Sequence, residues 1–327
     1  MFVGLMIATV LLAAVAANAA AVVWTQSRRP RALCLMYHRL SSRRERDRIR
    51  GLDRNYTVPV EELEKQISYL KESGYRFLTA DDALRLARRE WKLDQPGVAL
   101  TFDDGCVSVF EDAMPVLQRH GVCATAFVTT DPASHVFEYG QRRMSAEELR
   151  ALEAAGIRCE SHGVTHRPLV QLRDSEMRAE LSGSKAELQR VLGREVRFLS
   201  APGNWIDERA VRLAREAGYE GIWTSQPGSV LPGSNVFGLP RLNVDGALTL
   251  DQFAALLTPW GVAQRSLVYA AKSLPKRLAG PRLWYALRSR LLPWVPGGHL
   301  SFARWRLILS LPLIFVALVA LFKALSG

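Results

Sequence analysis

Cysteine is scarce in this sequence, and its few cysteines form no recognisable pattern. The chain of 327 residues contains four, Cys34, Cys106, Cys123 and Cys159, and no C-x-x-C spacing joins any two of them. A disulfide framework or a cysteine-rich zinc site would show such spacings. Three of the four lie in apolar, strand-like runs, so we expect them to be small buried side chains. This usage fits a reducing compartment without requiring one.

Acidic residues are absent from both ends of the chain. None occurs before Glu45 or after Asp251, whereas residues 1–50 carry nine arginines and the stretch beyond Asp251 carries ten Lys and Arg residues. The overall charge is +11, so residues 51–251 are left with a net charge of −6. A nucleic-acid-binding protein would carry its basic face on the folded domain. We therefore expect anionic lipid, and not nucleic acid, as the partner of the basic ends.

Charge is missing altogether from residues 3–23, which are rich in Ala, Val and Leu. A membrane-spanning helix needs about 20 apolar residues, so this stretch is long enough to cross a bilayer. Residues 1–26 are therefore expected to form an N-terminal transmembrane anchor or a signal segment. Ala17-Asn18-Ala19 would suit signal cleavage, although no basic residues precede the apolar run.

A second apolar stretch covers residues 307–322 and predicts a C-terminal transmembrane segment over 307–325, with a buried core helix as the alternative. Before it, residues 262–306 mix Lys and Arg with Leu, Trp and Tyr. That composition is typical of a basic amphipathic segment on a membrane surface. Arginines follow the first apolar stretch and precede the second, so the positive-inside rule favours the cytoplasmic side for the middle of the chain.

The middle of the chain repeats one local pattern: a helix-like stretch, a glycine and a short apolar run. Gly74, Gly121, Gly156 and Gly218 fit the position just past a helix end, where a positive φ is needed. The apolar runs predict seven strands, near 33–38, 75–79, 97–102, 123–129, 157–160, 197–200 and 221–225. Alternating strands and helices predict an α/β fold with a parallel sheet or barrel. The Arg-rich residues 39–50 are expected to form a solvated loop.

Residues with metal-binding chemistry follow two of the predicted strands. TFDDG, residues 101–105, ends one strand, and SHGVTH, residues 161–166, ends another. Active sites of parallel sheets and barrels lie at the carboxyl ends of the strands. Two histidines four apart face the same way if the segment makes a helical turn. Asp104, His162 and His166 would then be a three-ligand set that leaves positions open for water and substrate.

Such a metal explains why two aspartates stand side by side. A divalent cation supplies the positive charge that lets both carboxylates stay ionised, and it lowers the pKa of a bound water toward about 7. Asp104 would ligate the cation, while Asp103 would take the proton of the water. The competing interpretation is an ordinary turn at DDG and two unrelated histidines. The occurrence of both patterns at strand ends of one α/β region favours the metal site.

Together, TFDDG and SHGVTH resemble the motifs of the polysaccharide deacetylase family, the NodB-homology domain of carbohydrate esterase family four. The resemblance covers residues 32–258 and implies a distorted (β/α) barrel of about seven parallel strands, flanked here by N- and C-terminal membrane segments. It also implies metal-dependent removal of acetyl groups from sugars. By the family pattern, Asp103 is the catalytic base, and Asp104, His162 and His166 are the metal ligands. Zinc is the expected metal, and Co, Ni or Fe would suit the same donors.

A further stretch, LCLMYHR at residues 33–39, resembles the N-terminal Tyr-His motif of the poly-N-acetylglucosamine deacetylase-like branch. In that branch the order of the motifs is permuted, and the resemblance implies that His38 acts as the general acid. Such an acid is needed because an amine leaves poorly unless it is protonated. A purely structural histidine at the strand end is the alternative.

Residues 200–204 resemble the Pro-containing loop of the family, which offers a backbone N–H to the oxyanion. Pro202, Gly203, Asn204 and Trp205 are therefore expected to form the oxyanion and substrate site. Trp205 would stack on a sugar ring or, equally, pack in the core.

The sequence departs from the commonest family pattern at the start of that loop. An arginine that orients the base aspartate often stands there, whereas this chain has Ser200 and Ala201. We predict that Arg241, in the run LPRLNVD, replaces it by pairing with Asp103. A surface ion pair is the alternative.

The expected reaction is removal of N-acetyl groups from amino sugars of a polysaccharide or a lipid-linked glycan. The alternatives are deformylation or another amidohydrolysis of a lipid-linked sugar, and a non-catalytic glycan-binding protein of the same fold. The expected location is a membrane, the bacterial inner membrane. The flanking arginines favour the cytoplasmic face, and the family's common secreted habit favours the opposite face.

Overall fold

The computed structural model describes residues 20–21, 23–24, 31–131, 141–204 and 206–279. The two stretches predicted to span a membrane, 3–23 and 307–322, lie outside these residues except at positions 20, 21 and 23. Within the described part of the chain, no helix is both long enough and apolar enough to cross a bilayer.

Parallel strands form the centre of the fold. The strands are β1 (Ala32–Tyr37), β2 (Arg39–Ser41), β3 (Thr57–Pro59), β4 (Arg76–Phe77), β5 (Gly97–Phe102), β6 (Ala124–Val128), β7 (Ile157–Ser161), β8 (Phe198–Ser200), β9 (Gly221–Trp223) and β10 (Leu242–Asn243). The main sheet has the order β10-β1-β5-β6-β7-β8-β9, and β4 pairs with the start of β5. A separate two-stranded sheet joins β2 to β3. All of these pairings are parallel, as alternation of strands and helices predicts.

The segment between β9 and β10 brings the two edges of the main sheet together. Leu239 forms a parallel bridge with Trp223 of β9, and its N–H donates to Ile222 O. Three residues later, Leu242 pairs with Leu35 of β1. The sheet therefore curls into a distorted half-barrel that this segment bridges, in agreement with the barrel implied by the family resemblance. Strand β10 adds an eighth strand to the seven predicted, because two residues are too few for a recognisable apolar run.

Helices pack around the sheet. They are α1 (Arg43–Arg46), α2 (Gly51–Tyr56), α3 (Val60–Glu72), α4 (Ala80–Ala87), α5 (Met114–His120), α6 (Ala146–Ala154), α7 (Asp174–Leu192), α8 (Glu208–Glu216), α9 (Leu250–Leu257) and α10 (Pro259–Ala279). Local chemistry explains several boundaries. Ser145 and Glu148 form a capping box at the start of α6, and Asp207 caps α8. The four glycines predicted just past helix ends all have positive φ.

In β1, β5, β6, β8 and β9, neighbouring residues face two different apolar clusters. In β1, Leu35 belongs to the larger cluster, whereas Cys34 belongs to a second cluster with Ala99 of β5 and with residues of α4. Because side chains alternate along a strand, counting by two from Cys34 and Ala99 leads to His38 and Asp103. The strand face that points into the barrel therefore also carries His38 and Asp103, which lie at the carboxyl ends of β1 and β5.

The Arg-rich residues 39–50 are solvated only in part, and they form β2 and α1 where the charge pattern predicts a loop. Arg39 lies in β2, is 1% exposed, and donates from Nε to Thr57 Oγ1 at 3.0 Å. Arg46 is also buried, and its Nε donates to Thr57 O at 3.0 Å. The local charge pattern cannot reveal this arrangement, because the partner strand β3 comes only after two intervening helices.

The first turns of α10 belong to the folded domain. Val262 and Ala263 are buried, Arg265 Nη1 donates to Asn243 O at 3.0 Å, and Ser266 Oγ donates to the carbonyl of residue 227 at 3.1 Å. The beginning of the segment 262–306 therefore packs against the barrel. Residues 280–306 of that segment lie outside the described residues.

Candidate active site

The structure brings Asp104, His162 and His166 into one cluster at the carboxyl ends of β5 and β7. One possible ligand atom from each residue lies within 4.8 Å of the other two. The Nε2 atoms of His162 and His166 are 3.4 and 3.3 Å from the same oxygen, Asp104 Oδ1. Asp104 and His162 are buried, and His166 is half-buried. The three residues predicted as metal ligands thus converge, although 58 residues separate Asp104 from His162.

The backbone at this cluster adopts conformations that side-chain-bearing residues rarely take. Asp104 has a φ of 77° and His166 a φ of 63°. Left-handed backbone at such residues costs of order 1–3 kcal/mol each and persists where the surroundings enforce it, often at functional sites. Residues 161–166 make no helical turn; instead, positive φ at Gly163 (77°) and His166 bends the chain so that both imidazoles face Asp104.

The turn after the aspartates depends on Gly105. Its φ is 78°, and a Cβ at this position would lie 2.9 Å from Val128 Cγ1. The segment after residue 140 holds the same turn, since Met144 N donates to Gly105 O at 3.0 Å and Arg143 Nη1 donates to Asp104 O. Arg143 and Met144 belong to no recognisable motif, so the sequence gives no sign of this contact.

A divalent cation fits this donor set. His162 Nδ1 donates to Ser200 O at 2.8 Å, which leaves Nε2 to present its lone pair toward Asp104. Both oxygens of Asp104 are buried, and within the described residues neither accepts a well-directed hydrogen bond. A buried carboxylate without donors is costly, and a bound cation would remove that cost. Asp104, His162 and His166 would hold the ion.

The ionisation of these groups also suits a cation. Burial lowers the pKa of His166 to about 4, so its imidazole is neutral at pH 7. Burial by itself would raise the pKa of Asp104, but the imidazoles of His162, His166 and His38 outweigh it and lower that pKa. For His162, burial would lower the pKa, yet the carboxylates of Asp103 and Asp104 raise it above the ordinary value. The carboxylates of Asp103 and Asp104 therefore favour a positive charge beside them, at the position of the three metal-binding side chains.

Asp103 is held by Arg241 beside the cluster. Arg241 Nη1 donates to Asp103 Oδ1 at 2.6 Å, and Nη2 donates to Asp103 Oδ2 at 2.7 Å. Burial opposes ionisation of Asp103, but the Arg241 guanidinium outweighs it and lowers the pKa of the carboxyl group. The predicted pairing is confirmed, and both partners are buried, which excludes the surface ion pair. Asp103 Oδ2 lies 4.0 Å from His162 Nε2, so the pair borders the cluster.

Several groups fix Arg241 in turn. Its Nε donates to Thr224 O at 3.0 Å, its Nη1 donates to Thr101 Oγ1 at 3.1 Å, and its guanidinium lies 5.4 Å from the ring centre of Phe127. Ser200, at the position of the family's missing arginine, accepts from Arg241 Nη2 at 2.7 Å and donates to Asp103 Oδ2 at 3.1 Å. A small residue at position 200 therefore leaves room for the guanidinium and links it to the carboxylate.

His38 follows β1 on the same side of the barrel. Its ring centre is 4.6 Å from that of Tyr56, a residue of α2 that no motif marks. Its Nδ1 is buried and has no hydrogen-bond partner among the described residues. Burial has the largest effect on the pKa of His38 and lowers it, against the attraction of Asp104 and Asp103 for the protonated ring. His38 thus lies within electrostatic reach of both aspartates.

The Pro-containing loop begins at the cluster, because Ser200 O accepts the hydrogen bond of His162. Pro202 is buried, Gly203 is exposed with a φ of 65°, and Pro202–Asn204 form a short 3₁₀ turn. The loop therefore starts beside the metal-binding side chains. Trp205 and the side chain of Asn204 lie outside the described residues, so their predicted roles stay predictions.

Known proteins resemble this chain in sequence and in fold. Residues 91–222 match the family described as polysaccharide deacetylase. YxkH of Bacillus subtilis is 26% identical over 235 residues, covering 72% of this chain and 79% of that protein. The poly-β-1,6-N-acetyl-D-glucosamine N-deacetylase of Staphylococcus aureus is 23% identical over 218 residues, covering 63% of this chain and 73% of that protein. The structure of the deacetylase PplD of Streptococcus pyogenes in complex with acetate has a TM-score of 0.60 at 20% identity, covering 69% of this chain and 97% of that chain.

Proposed function

We propose that this chain removes N-acetyl groups from amino sugars with a divalent metal ion, because residues 91–222 match the polysaccharide deacetylase family and the Staphylococcus aureus relative is named an N-deacetylase. The substrate would be a polysaccharide or a lipid-linked glycan. One observation carries the proposal: the Asp104–His162–His166 cluster lies directly beside the buried Asp103–Arg241 pair. The name of the Staphylococcus aureus relative supports N-acetylglucosamine as the sugar.

Asp103 would act as the base. Arg241 fixes both of its oxygens and keeps it ionised, and it borders the three metal-binding side chains. A cation held by Asp104, His162 and His166, most readily zinc, would supply positive charge that polarises the acyl carbonyl and favours ionisation of water. Asp103 would then accept the proton of the attacking water at its carboxylate.

The Pro-containing loop would stabilise the oxyanion of the tetrahedral intermediate through a backbone N–H. Pro202 has no N–H, and Ala201 N already donates to Trp223 O, so within residues 201–204 the donor would be Gly203 or Asn204. Ser200 O holds His162, and thus ties this loop to the metal-binding side chains. Motion of the loop would move the oxyanion donor and one metal ligand together.

His38 would protonate the departing amine. Asp104 and Asp103 favour the protonated ring that a general acid needs, whereas burial lowers the pKa of His38 overall. Its ring packs against Tyr56, which would hold it toward the aspartates.

The decisive test measures the released acid and its dependence on metal. The full-length protein would be incubated with β-1,6-linked N-acetylglucosamine oligomers and with chito-oligosaccharides, before and after chelation and after addition of zinc. Acetate release that is abolished by chelator and restored by zinc is the expected result. Formate release instead would favour the deformylase alternative. No stoichiometric metal and no acid release would favour a glycan-binding protein. His166→Ala would serve as the metal-ligand variant and His120→Ala, at the end of α5, as its control.

We also propose that the chain is attached to a membrane through residues 3–23 and 307–325, with its basic ends against anionic lipid. The absence of charge from the first stretch and the ten basic residues beyond Asp251 support this. In α10, which leads toward the second stretch, Trp260 is 55% exposed. Alkaline extraction of membranes should leave the protein in the pellet, and release into the supernatant would contradict attachment. A topology reporter at the C-terminus would identify the face of the bilayer.

A further inference from the structure

A carboxylate from α7 holds the turn that carries the two histidines. Glu180 Oε2 accepts from Val164 N at 2.8 Å and from Thr165 N at 2.9 Å, and Glu180 Oε1 accepts from the Thr165 hydroxyl. Glu180 is only 6% exposed. Two consecutive N–H groups of the turn between His162 and His166 thus converge on one buried oxygen.

These contacts stabilise the backbone conformation that places the His166 side chain. The turn contains left-handed backbone at Gly163 and at His166. The N–H groups of Thr130 and Asp131 donate to Gly163 O and Val164 O, whereas the N–H groups of Val164 and Thr165 donate to Glu180. Buried N–H groups need acceptors, and an ionised acceptor forms the stronger hydrogen bonds. A Cβ at Gly163 would lie 3.1 Å from Glu180 Oε2, so the carboxylate packs directly on the backbone of the turn.

A second contact from the same helix restrains the beginning of the turn. Ser184, one helical turn after Glu180, lies 2.8 Å from Ser161 through their hydroxyl oxygens. Gly163 N in turn donates to Ser161 Oγ at 3.2 Å. Helix α7 therefore holds both the entry to the turn and its middle, while neither Glu180 nor Ser184 is a metal-binding residue of the cluster.

We propose that Glu180 is a positioning residue of the metal centre. By accepting from the N–H groups of Val164 and Thr165, it stabilises the turn conformation that directs His166 toward Asp104, and it thereby sets the affinity for the divalent ion. This inference rests on the proposed function, because it requires the cluster to bind a metal. Glu180 acts through His166 and does not contact the ion.

The test is a titration of full-length protein with zinc against a chelating dye. Glu180→Ala should weaken zinc binding by at least about tenfold, as loss of groups that orient metal ligands typically does. Glu180→Gln should weaken it less, because an amide oxygen can still accept from both N–H groups. Glu187→Gln is the matched control, since Glu187 lies on the exposed side of α7 and pairs with Arg190. It should bind zinc as the unaltered protein does.

The melting temperature with and without zinc separates positioning from general stability. A positioning role predicts that Glu180→Ala loses part of the rise that zinc produces, because ligand stabilisation follows affinity. Zinc affinity within about twofold of the unaltered protein would overturn the inference, even if the metal-free variant melts at a lower temperature.

Two milder substitutions decide the matter if Glu180→Ala does not fold. Zinc affinity should then fall from the unaltered protein to Glu180→Gln and further to Glu180→Asp, whose shorter side chain cannot reach both N–H groups. Equal zinc affinity in all three proteins would overturn the inference. Unaltered protein that binds no zinc would overturn the proposed function as well.

Discussion

The guanidinium of Arg241 donates a hydrogen bond to each carboxylate oxygen of Asp103, although the two residues are 138 positions apart in the sequence. Both side chains are buried, and two parallel charge-assisted hydrogen bonds fix the plane of the carboxylate. Arg241 directly precedes the two-residue strand β10, which pairs with β1. The orientation of the proposed base therefore depends on the last strand of the barrel.

Loss of the paired guanidinium should impair catalysis more than binding. Arg241→Lys keeps the charge but cannot make both hydrogen bonds, so we expect kcat/KM to fall at least about tenfold, mainly through kcat, which corresponds to about 1.4 kcal/mol. Arg241→Ala should also lower the free energy of unfolding by about 3–5 kcal/mol, because it leaves the Asp103 charge buried and unpaired. Steady-state kinetics and urea unfolding measure the two effects. The exposed-residue variant Arg212→Lys should change neither, and a change of less than about twofold in kcat/KM for Arg241→Lys would contradict the orienting role.

Moving the arginine to its usual family position should restore part of the activity. Ser200→Arg alone would place a second guanidinium against Arg241 in a buried site, and we expect it to be inactive. The double variant Ser200→Arg/Arg241→Ser again has one arginine beside Asp103. Its kcat/KM should exceed that of Ser200→Arg by at least about tenfold, a coupling expected of residues in direct contact. A double variant no more active than Ser200→Arg would refute the exchange.

The role proposed for His38 depends on the leaving group. His38→Gln should lower kcat on N-acetyl substrates by about 10²–10⁴, because an amine must be protonated to leave. On an aryl acetate, whose phenolate leaves without protonation, the same substitution should have little effect. His120→Gln is the control, since His120 lies at the end of α5 near Glu64. Equal losses on both substrates would indicate a structural histidine.

The capping box of α6 should make stability depend on pH. Glu148 accepts from Arg142 Nη2 at 2.6 Å and from Ser145 N at 2.7 Å, and the hydrogen bonding from Arg142 is the main cause that lowers its pKa to about 2. A lowered folded-state pKa stabilises the protein above the unfolded value of about 4.3, and this stabilisation is lost as the pH falls toward 2. Because solvent screens this open pair, Glu148→Gln should cost only about 0.5 to 1 kcal/mol at pH 7.

The same Glu148→Gln substitution should cost less at pH 2 than at pH 7, because Glu148 itself becomes protonated as the pH falls through about 2. Urea unfolding of the variant at both pH values measures the difference, and Glu147→Gln, on the neighbouring position of α6, is the control. A cost that is equal at pH 7 and at pH 2 would show that the ionised carboxylate does not contribute.

Local patterns were enough to predict much of the fold and of the candidate site. The glycines past helix ends, the capping residues and the apolar runs indicate seven of the eight strands of the main sheet, because backbone conformation and burial leave a short-range signature. The aspartates after β5 and the histidines after β7 could be placed at one site, since carboxyl ends of parallel strands share an edge of the sheet.

Apart from the pairing of Arg241 with Asp103, the local patterns did not provide the choice of partners. Residues 39–50 read as solvated, yet Arg39 is buried, because its partner Thr57 belongs to a strand that pairs with β2 only in the folded chain. The histidines converge through left-handed backbone at Gly163 and His166 and not through a helical turn. This conformation is possible because the Glu180 carboxylate of α7 accepts hydrogen bonds from the N–H groups of residues 164 and 165.

The amino-acid sequence by itself determined the alternation of strands and helices, the ends of the strands that carry the chemistry, and the residue types able to hold a cation. Tertiary structure alone decided that the predicted pair of Arg241 and Asp103 is buried, that Ser200 links the two, and that Glu180 supports the histidine turn. The reason is physical: hydrophobic periodicity and capping act over a few neighbouring residues, whereas buried charges are satisfied by whichever group the packed chain brings within hydrogen-bonding distance.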